Sequence, residues 1–181
     1  MDGVAAMEAM KKRAISITRT QLLYMALCGL SSSQISAFLS GAEFLERKSG
    51  KTYRKDIILT HPEETVQMKR WHELESKGFW ALTLFDDAYP DKLRDVEPVP
   101  YVLFGRGDCS VLTGFSLAII GSRKPSAYGI TCTNLFAGGL ARNGIVVISG
   151  LAYGIDSLAH RAALQASFPT VAVLGNGIDT V

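Results

Sequence analysis

The residues best suited to chemistry stand together in AIIGSRKPSAYG, Ala118 to Gly129, where an apolar run stops at a glycine and a hydroxyl, a guanidinium and an ammonium follow. A dinucleotide loop beginning at Gly121 needs glycine at 123 and 126, and the chain has Arg123 and Ser126. A Walker A loop needs Gly-Lys at 126 and 127, and the chain has Ser126 and Ala127. What remains is a strand end carrying Gly121, Ser122, Arg123 and Lys124, stiffened by Pro125, with Tyr128 offering a stacking face. Arginine forks onto phosphate oxygens or stacks on a base, and a nearby aromatic suits single-stranded nucleic acid.

Two more glycine loops follow comparable apolar runs. They are Ser149-Gly150-Leu151-Ala152-Tyr153-Gly154-Ile155-Asp156 and Gly175-Asn176-Gly177-Ile178-Asp179. Glycine lets a backbone approach an anion or turn at positive φ, and the amides of a following helix favour negative charge. Tight strand-to-helix turns need glycine in any case, so each loop alone has a purely structural reading; three of them on one sheet edge predict an anion-binding crevice. Arg123 has a second reading, an ion pair with Asp156. Asp156 and Asp179, each after a Gly-Ile step, read first as caps of helix amides and second as ligand contacts. His160, one turn after Asp156, reads as a packing or hydrogen-bonding residue. The sequence shows no strained nucleophile elbow, paired carboxylates or metal-ligand spacing, so it predicts no catalytic residue, metal or cofactor.

These loops need a parallel sheet to hold them. LAII (117–120), IVVI (145–148) and TVAVL (170–174) are short apolar runs without alternation, which suits strands buried on both faces. Between them, YGITCTNLFAGGLARNG and GIDSLAHRAALQAS have helical periodicity. The order is β-α-β-α-β, the start of an α/β, Rossmann-like, doubly wound sheet. Such a sheet usually has five or six strands, so these three with a strand at Val102–Phe104 predict an incomplete domain, a truncated chain and an exposed sheet edge. Upstream, the first 60 residues read as short helices in the outline of a SAM-like or helix-hairpin-helix unit, with serine caps after Leu30. A further helix is predicted from Pro62 to Gly78, with Val66, Met68, Trp71 and Leu74 on its apolar side. The predicted domains are 1–78 and 79–181.

Bulk composition narrows the class. Of 181 residues 48% are hydrophobic, enough for a core, and the net charge of +2 does not by itself announce a nucleic-acid binder. Basic residues prevail at both ends around an acidic middle. Three cysteines without C-x-x-C spacing predict neither a disulfide framework nor a zinc site. With no secretory signal and no membrane-length apolar run, the expected location is the cytoplasm.

AIIGSRKPSAYG, VVISGLAYGIDSLAHRAAL and TVAVLGNGID, in that order, strongly resemble the DNA-processing protein A family (DprA, also called Smf), and YPDKLRDVEPVPYVLFGRGD resembles the segment that leads into that family's nucleotide-fold domain. The resemblance runs from about Tyr89 to the last residue. It implies a cytoplasmic protein of natural transformation that binds and protects incoming single-stranded DNA, helps load the recombinase RecA, works as a homodimer when complete, and is not an enzyme. It also implies that Gly121, Ser122 and Arg123, helped by Lys124, contact phosphates, and that Ser149, Gly150, Gly154, Gly175 and Gly177 line the same pocket. Family members continue past a segment like GNGIDTV with Tyr-Pro and further strands. Two other classes stay open: a nucleotide enzyme of the lysine-decarboxylase-like fold acting on nucleoside monophosphates, although no P-G-G-x-G-T loop occurs, and an interaction module whose basic N-terminal helices bind a partner.

Overall fold

Two capping boxes start the first helices. Thr18 and Ser31 each accept the backbone N–H three residues on, while Gln21 and Gln34 reach back to the cap amide. They open α1 (Arg19–Leu27) and α2 (Ser32–Leu39), joined through Gly29 at φ 74°. The computed structural model describes residues 17–41, 44–46, 52–54, 62 and 65–180. The basic Lys11-Lys12-Arg13 cluster lies outside them. After α2 the chain forms an antiparallel pair, β1 (Phe44–Glu46) with β2 (Thr52–Arg54), instead of the continued helix predicted there. Gly41, at φ 111°, stands where the helical course ends.

The next helix also starts later than Pro62. Its cap is Thr65, whose hydroxyl accepts from the Met68 amide and donates to the Pro62 carbonyl, and α3 runs Val66–Glu75. Met68 and Trp71 are buried as expected, whereas Val66 is exposed. The hairpin of β3 (Phe79–Thr83) and β4 (Val102–Arg106) follows in antiparallel register. The Val102 strand therefore pairs with β3 and is no part of the parallel sheet.

The chain divides into two compact units after Gly107, not at 78/79. The reason lies in what the hairpin touches. Trp71 of α3 meets Phe104 of β4 edge-on at 5.3 Å between ring centres. Arg19 of α1 donates to Asp86 at 2.8 Å and to the Ala81 carbonyl at 2.9 Å. Asp86 also accepts from the amide and hydroxyl of the fully buried Thr83, at 2.6 and 2.9 Å. Burial works against the charged form of Asp86, but the hydrogen bonds from Arg19 and Thr83 hold its carboxyl below the ordinary aspartate range. Arg94 donates to the Leu84 carbonyl and lies 5.1 Å over the Tyr89 ring, whose hydroxyl donates to the Pro100 carbonyl. Burial pushes that phenol up to about 12. Leu22, Met25, Phe38, Trp71 and Leu82 share the core of this unit, so α1 and α2 are integral to it.

The second unit holds β5 (Ser116–Ala118), α4 (Ala127–Arg142), β6 (Val146–Ser149), α5 (Ile155–Gln165) and β7 (Thr170–Ala172). The strands are parallel in the order β5-β6-β7. The two helices pack on each other through Ala137, Ala141, Ala159, Ala162 and Ala163, with Val147 beneath them. Small residues permit this close approach, and Asn143-Gly144 ends α4 with Gly144 at φ 75°. The expectation of strands buried on both faces holds for β6 but not for its neighbours: Leu117 is 44% and Ala118 and Ala172 are also exposed. Two successive same-handed crossovers put both helices on one face, which leaves the flanking strands covered on that side.

Candidate functional site

Because the strands are parallel, all three glycine loops leave the same edge of the sheet, at the carboxyl ends of β5, β6 and β7. The first two are fastened to each other. The Ile155 amide donates to the Ser122 carbonyl at 3.1 Å. A Cβ on Gly154, itself at φ 85°, would run into the Ser122 carbonyl and the Arg123 backbone, and one on Gly121 would lie 2.8 Å from the Ile155 side chain. These two glycines thus let one loop lie against the other. The third loop joins at its root, where the Val173 amide donates to the Ser149 carbonyl at 2.8 Å. Gly175 has no neighbour against which a Cβ would press, and Gly177 lies beyond it, exposed, before a single turn at Ile178–Thr180 that holds Asp179.

The first loop is ordered from within. Ser122 Oγ accepts the Lys124 amide at 3.1 Å, and Ser126 caps α4 by accepting the Gly129 amide at 3.2 Å. Arg123 and Lys124 are exposed, and neither side chain has a hydrogen bond or ion pair among the described residues. The alternative of an Arg123–Asp156 ion pair is therefore not formed. Asp156 is buried and its Oδ2 accepts the Gly150 amide at 3.1 Å. It holds a loop amide, not a helix amide as the capping reading expected. Tyr128, in the first turn of α4, is 79% exposed. A hydrogen bond with Cys132, and then the charge interaction with it, pushes the Tyr128 phenol above its usual value.

Ser149 is placed differently from the loop residues around it. It is 2% exposed, and its hydroxyl donates to the Ile119 carbonyl at 2.6 Å, which ties β6 to the end of β5. The Gly150 amide is likewise committed, to Asp156. His160 behaves as expected of a packing residue: it is buried with Nδ1 2.8 Å from Thr170 Oγ1, and burial lowers its pKa against the opposing charge of Asp156.

What the loops enclose is an open cleft of about 350 Å3 lined by Arg123, Leu151, Ala152, Tyr153 and Ser157. That is the low end of the roughly 300–1,000 Å3 of small-molecule sites. One wall is a guanidinium and the others are largely apolar, with Tyr153 86% exposed. Leu151 holds φ 58°, a left-handed conformation rare for a branched side chain. Leu151 and Tyr153 were not singled out from the sequence. The available signal was two large apolar residues inside a loop bounded by glycines. Among the described residues no group of acids, histidines and cysteines could hold a metal, and no helix is long and apolar enough to cross a membrane.

The comparisons with known proteins converge. The family model of DNA recombination-mediator protein A matches residues 80–181. Protein Smf of Escherichia coli is 36% identical over 137 residues, 75% of this chain and 36% of its own length. The DNA processing protein DprA of Streptococcus pneumoniae is 32% identical over 173 residues, 91% of this chain and 60% of its own. An X-ray structure of DprA from Streptococcus pneumoniae covers 97% of this chain and 58% of that one, with 29% identity and a TM-score of 0.56. The chain thus spans between about a third and two thirds of the length of these relatives. The family match starts at residue 80, so the hairpin β3–β4 belongs to the family signature although it folds with the helices before it. With a parallel sheet, three glycine loops on one edge and a family match over more than half its length, the chain belongs to the DNA recombination-mediator protein A family, DprA/Smf.

Proposed function

We propose that the second unit binds single-stranded DNA through the first two glycine loops. The observation that carries this reading is the pair of unengaged cations, Arg123 and Lys124, on a loop fixed by Ser122 and Gly154 beside an apolar cleft. Phosphate oxygens meet the guanidinium and ammonium, and the positive end of the α4 dipole adds to the field. An unpaired base lies against Leu151 and Tyr153, a contact that duplex DNA does not offer because its bases are stacked and paired. Gly121 and Gly154 serve by letting the loops meet, Ser149 serves from behind the surface, Gly150 gives its amide to the carboxylate that shapes the second loop, and Gly175 and Gly177 form the outer rim.

The role is binding, not catalysis. In the complete protein it extends to protecting incoming single strands, loading the RecA recombinase and acting as a homodimer in the cytoplasm during natural transformation. The relatives' names, DNA processing protein and recombination mediator, support that reading. Mobility-shift titration with single- and double-stranded oligonucleotides of equal length tests it. Preference for the single strand, weakening with salt, is the expected result; equal affinity for duplex, or no binding of either, overturns it.

A further inference from the structure

Asp156 occupies the second position of α5, yet its carboxylate turns back across the loop to the Gly150 amide. The stretch from Gly150 to Asp156 therefore closes into a ring, with Leu151, Ala152 and Tyr153 at its far side, and these three residues line the cleft. The ring holds two left-handed residues, Leu151 at φ 58° and Gly154 at φ 85°. A branched residue held there is strained and keeps the shape only where its surroundings enforce it. The downstream end is enforced by several bonds: Ser157 N–H to Ala152 O at 3.2 Å, Ser157 Oγ to Gly154 O at 3.0 Å, and Ile155 N–H to Ser122 O at 3.1 Å. On the upstream end, at the residue just before Leu151, the bond to Asp156 does this work.

Two further observations fit. A Cβ on Gly150 would lie 2.8 Å from Asp156 Oδ2, so glycine there makes room for the carboxylate. The helix that carries Asp156 is itself fixed one turn on: His160 Nδ1 meets Thr170 Oγ1 at 2.8 Å, and Thr170 donates its proton to the Val147 carbonyl at 2.6 Å. Since that hydroxyl has one proton and spends it on Val147, the imidazole is the donor at Nδ1. Sheet, histidine, helix and aspartate thus form one rigid support behind the loop.

We infer that Asp156 is a positioning residue of the cleft, which shapes the Leu151–Tyr153 wall by holding the Gly150 amide and does not itself touch DNA. The inference rests on the reading of this cleft as a single-strand site. It makes geometry, not charge, the property that matters. A carboxamide oxygen can accept the same N–H, whereas a longer carboxylate cannot occupy the same place and a methyl group accepts nothing.

The test is salt-dependent titration of the full chain with a fluorescent oligothymidine. Asp156→Asn is expected to bind at least as tightly as the parent, and Asp156→Ala and Asp156→Glu each about tenfold more weakly, as expected for one lost hydrogen bond to a charged group, with the salt slope unchanged throughout. If Asp156→Ala is too unstable to assay, the contrast of Asn with Glu carries the same information. Asn as weak as Glu, or Ala and Glu as tight as the parent, overturns the inference. Arg123→Ala separates the two ideas: if it weakens binding while the Asp156 variants do not follow this order, only the positioning role falls. If it changes neither affinity nor slope, the single-strand reading of the cleft falls and takes this inference with it.

Discussion

Arginines in the two units do opposite things. In the first unit Arg19 bridges elements far apart in sequence, reaching Asp86 and the Ala81 carbonyl, and Arg94 ties down its own connector through the Leu84 carbonyl and the Tyr89 ring. In the second, Arg123 stands on a loop held by glycine contacts and backbone hydrogen bonds and has no partner among the described residues. The first pattern uses charge to secure a fold; the second secures the fold by other means and leaves the charge unpaired among the described residues. Arginine content alone does not separate these uses. The distinction lies in whether the surroundings of each guanidinium are already satisfied.

Substitutions can break this contrast, beginning with the largest effect. Gly154→Ala places a Cβ against the Ser122 and Arg123 backbone at a left-handed position, so it should destabilise the second unit by about 2–4 kcal/mol and abolish single-strand binding. Chemical denaturation and a binding assay check both. Asp86→Ala removes the acceptor of the buried Thr83 amide and hydroxyl and frees Arg19, so the first unit should lose about 1–3 kcal/mol without a change in the salt slope of DNA binding.

The units should also part company with pH, by a smaller amount. The folded His160 has a lowered pKa, so below the ordinary histidine value the unfolded chain binds the extra proton first. Stability from this group is present above the ordinary histidine range and is lost as pH falls through the lowered folded value, and His160→Gln should remove that slope. Asp86, also lowered, acts in the same direction but further down: its contribution is complete above the ordinary aspartate range and disappears as pH drops through the folded value. Thermal melts between about pH 7 and 3, with each variant, separate the two groups.

The sequence carried the parallel strands and their loops well, because β-branched runs and glycine steps repeat at a spacing that few other folds produce. The position of Arg123 in an exposed strand-to-helix turn was also legible, since the apolar run before Gly121 and the serine cap after it mark where the strand ends and the helix begins. The sequence did not carry β1 and β2, whose three-residue strands leave no period to detect. Nor did it carry the first unit's boundary, since the Trp71–Phe104 and Arg19–Asp86 contacts join residues far apart in the chain. The partners of Asp156 and Ser149 were equally hidden. A carboxylate reaching back six residues, or a hydroxyl spent on a neighbouring strand, depends on a loop shape that residue types alone do not specify.

The central claim is that Arg123 is free in the folded chain because a phosphate is its partner. Arg123→Ala should leave stability within about 0.5 kcal/mol of the parent, since an exposed side chain without partners contributes little. The deciding measurement is the salt dependence of binding to a single-stranded oligonucleotide, with and without Arg123. Loss of one phosphate contact should lower the slope of log affinity against log salt by about 0.7. An unchanged slope and affinity would contradict the account.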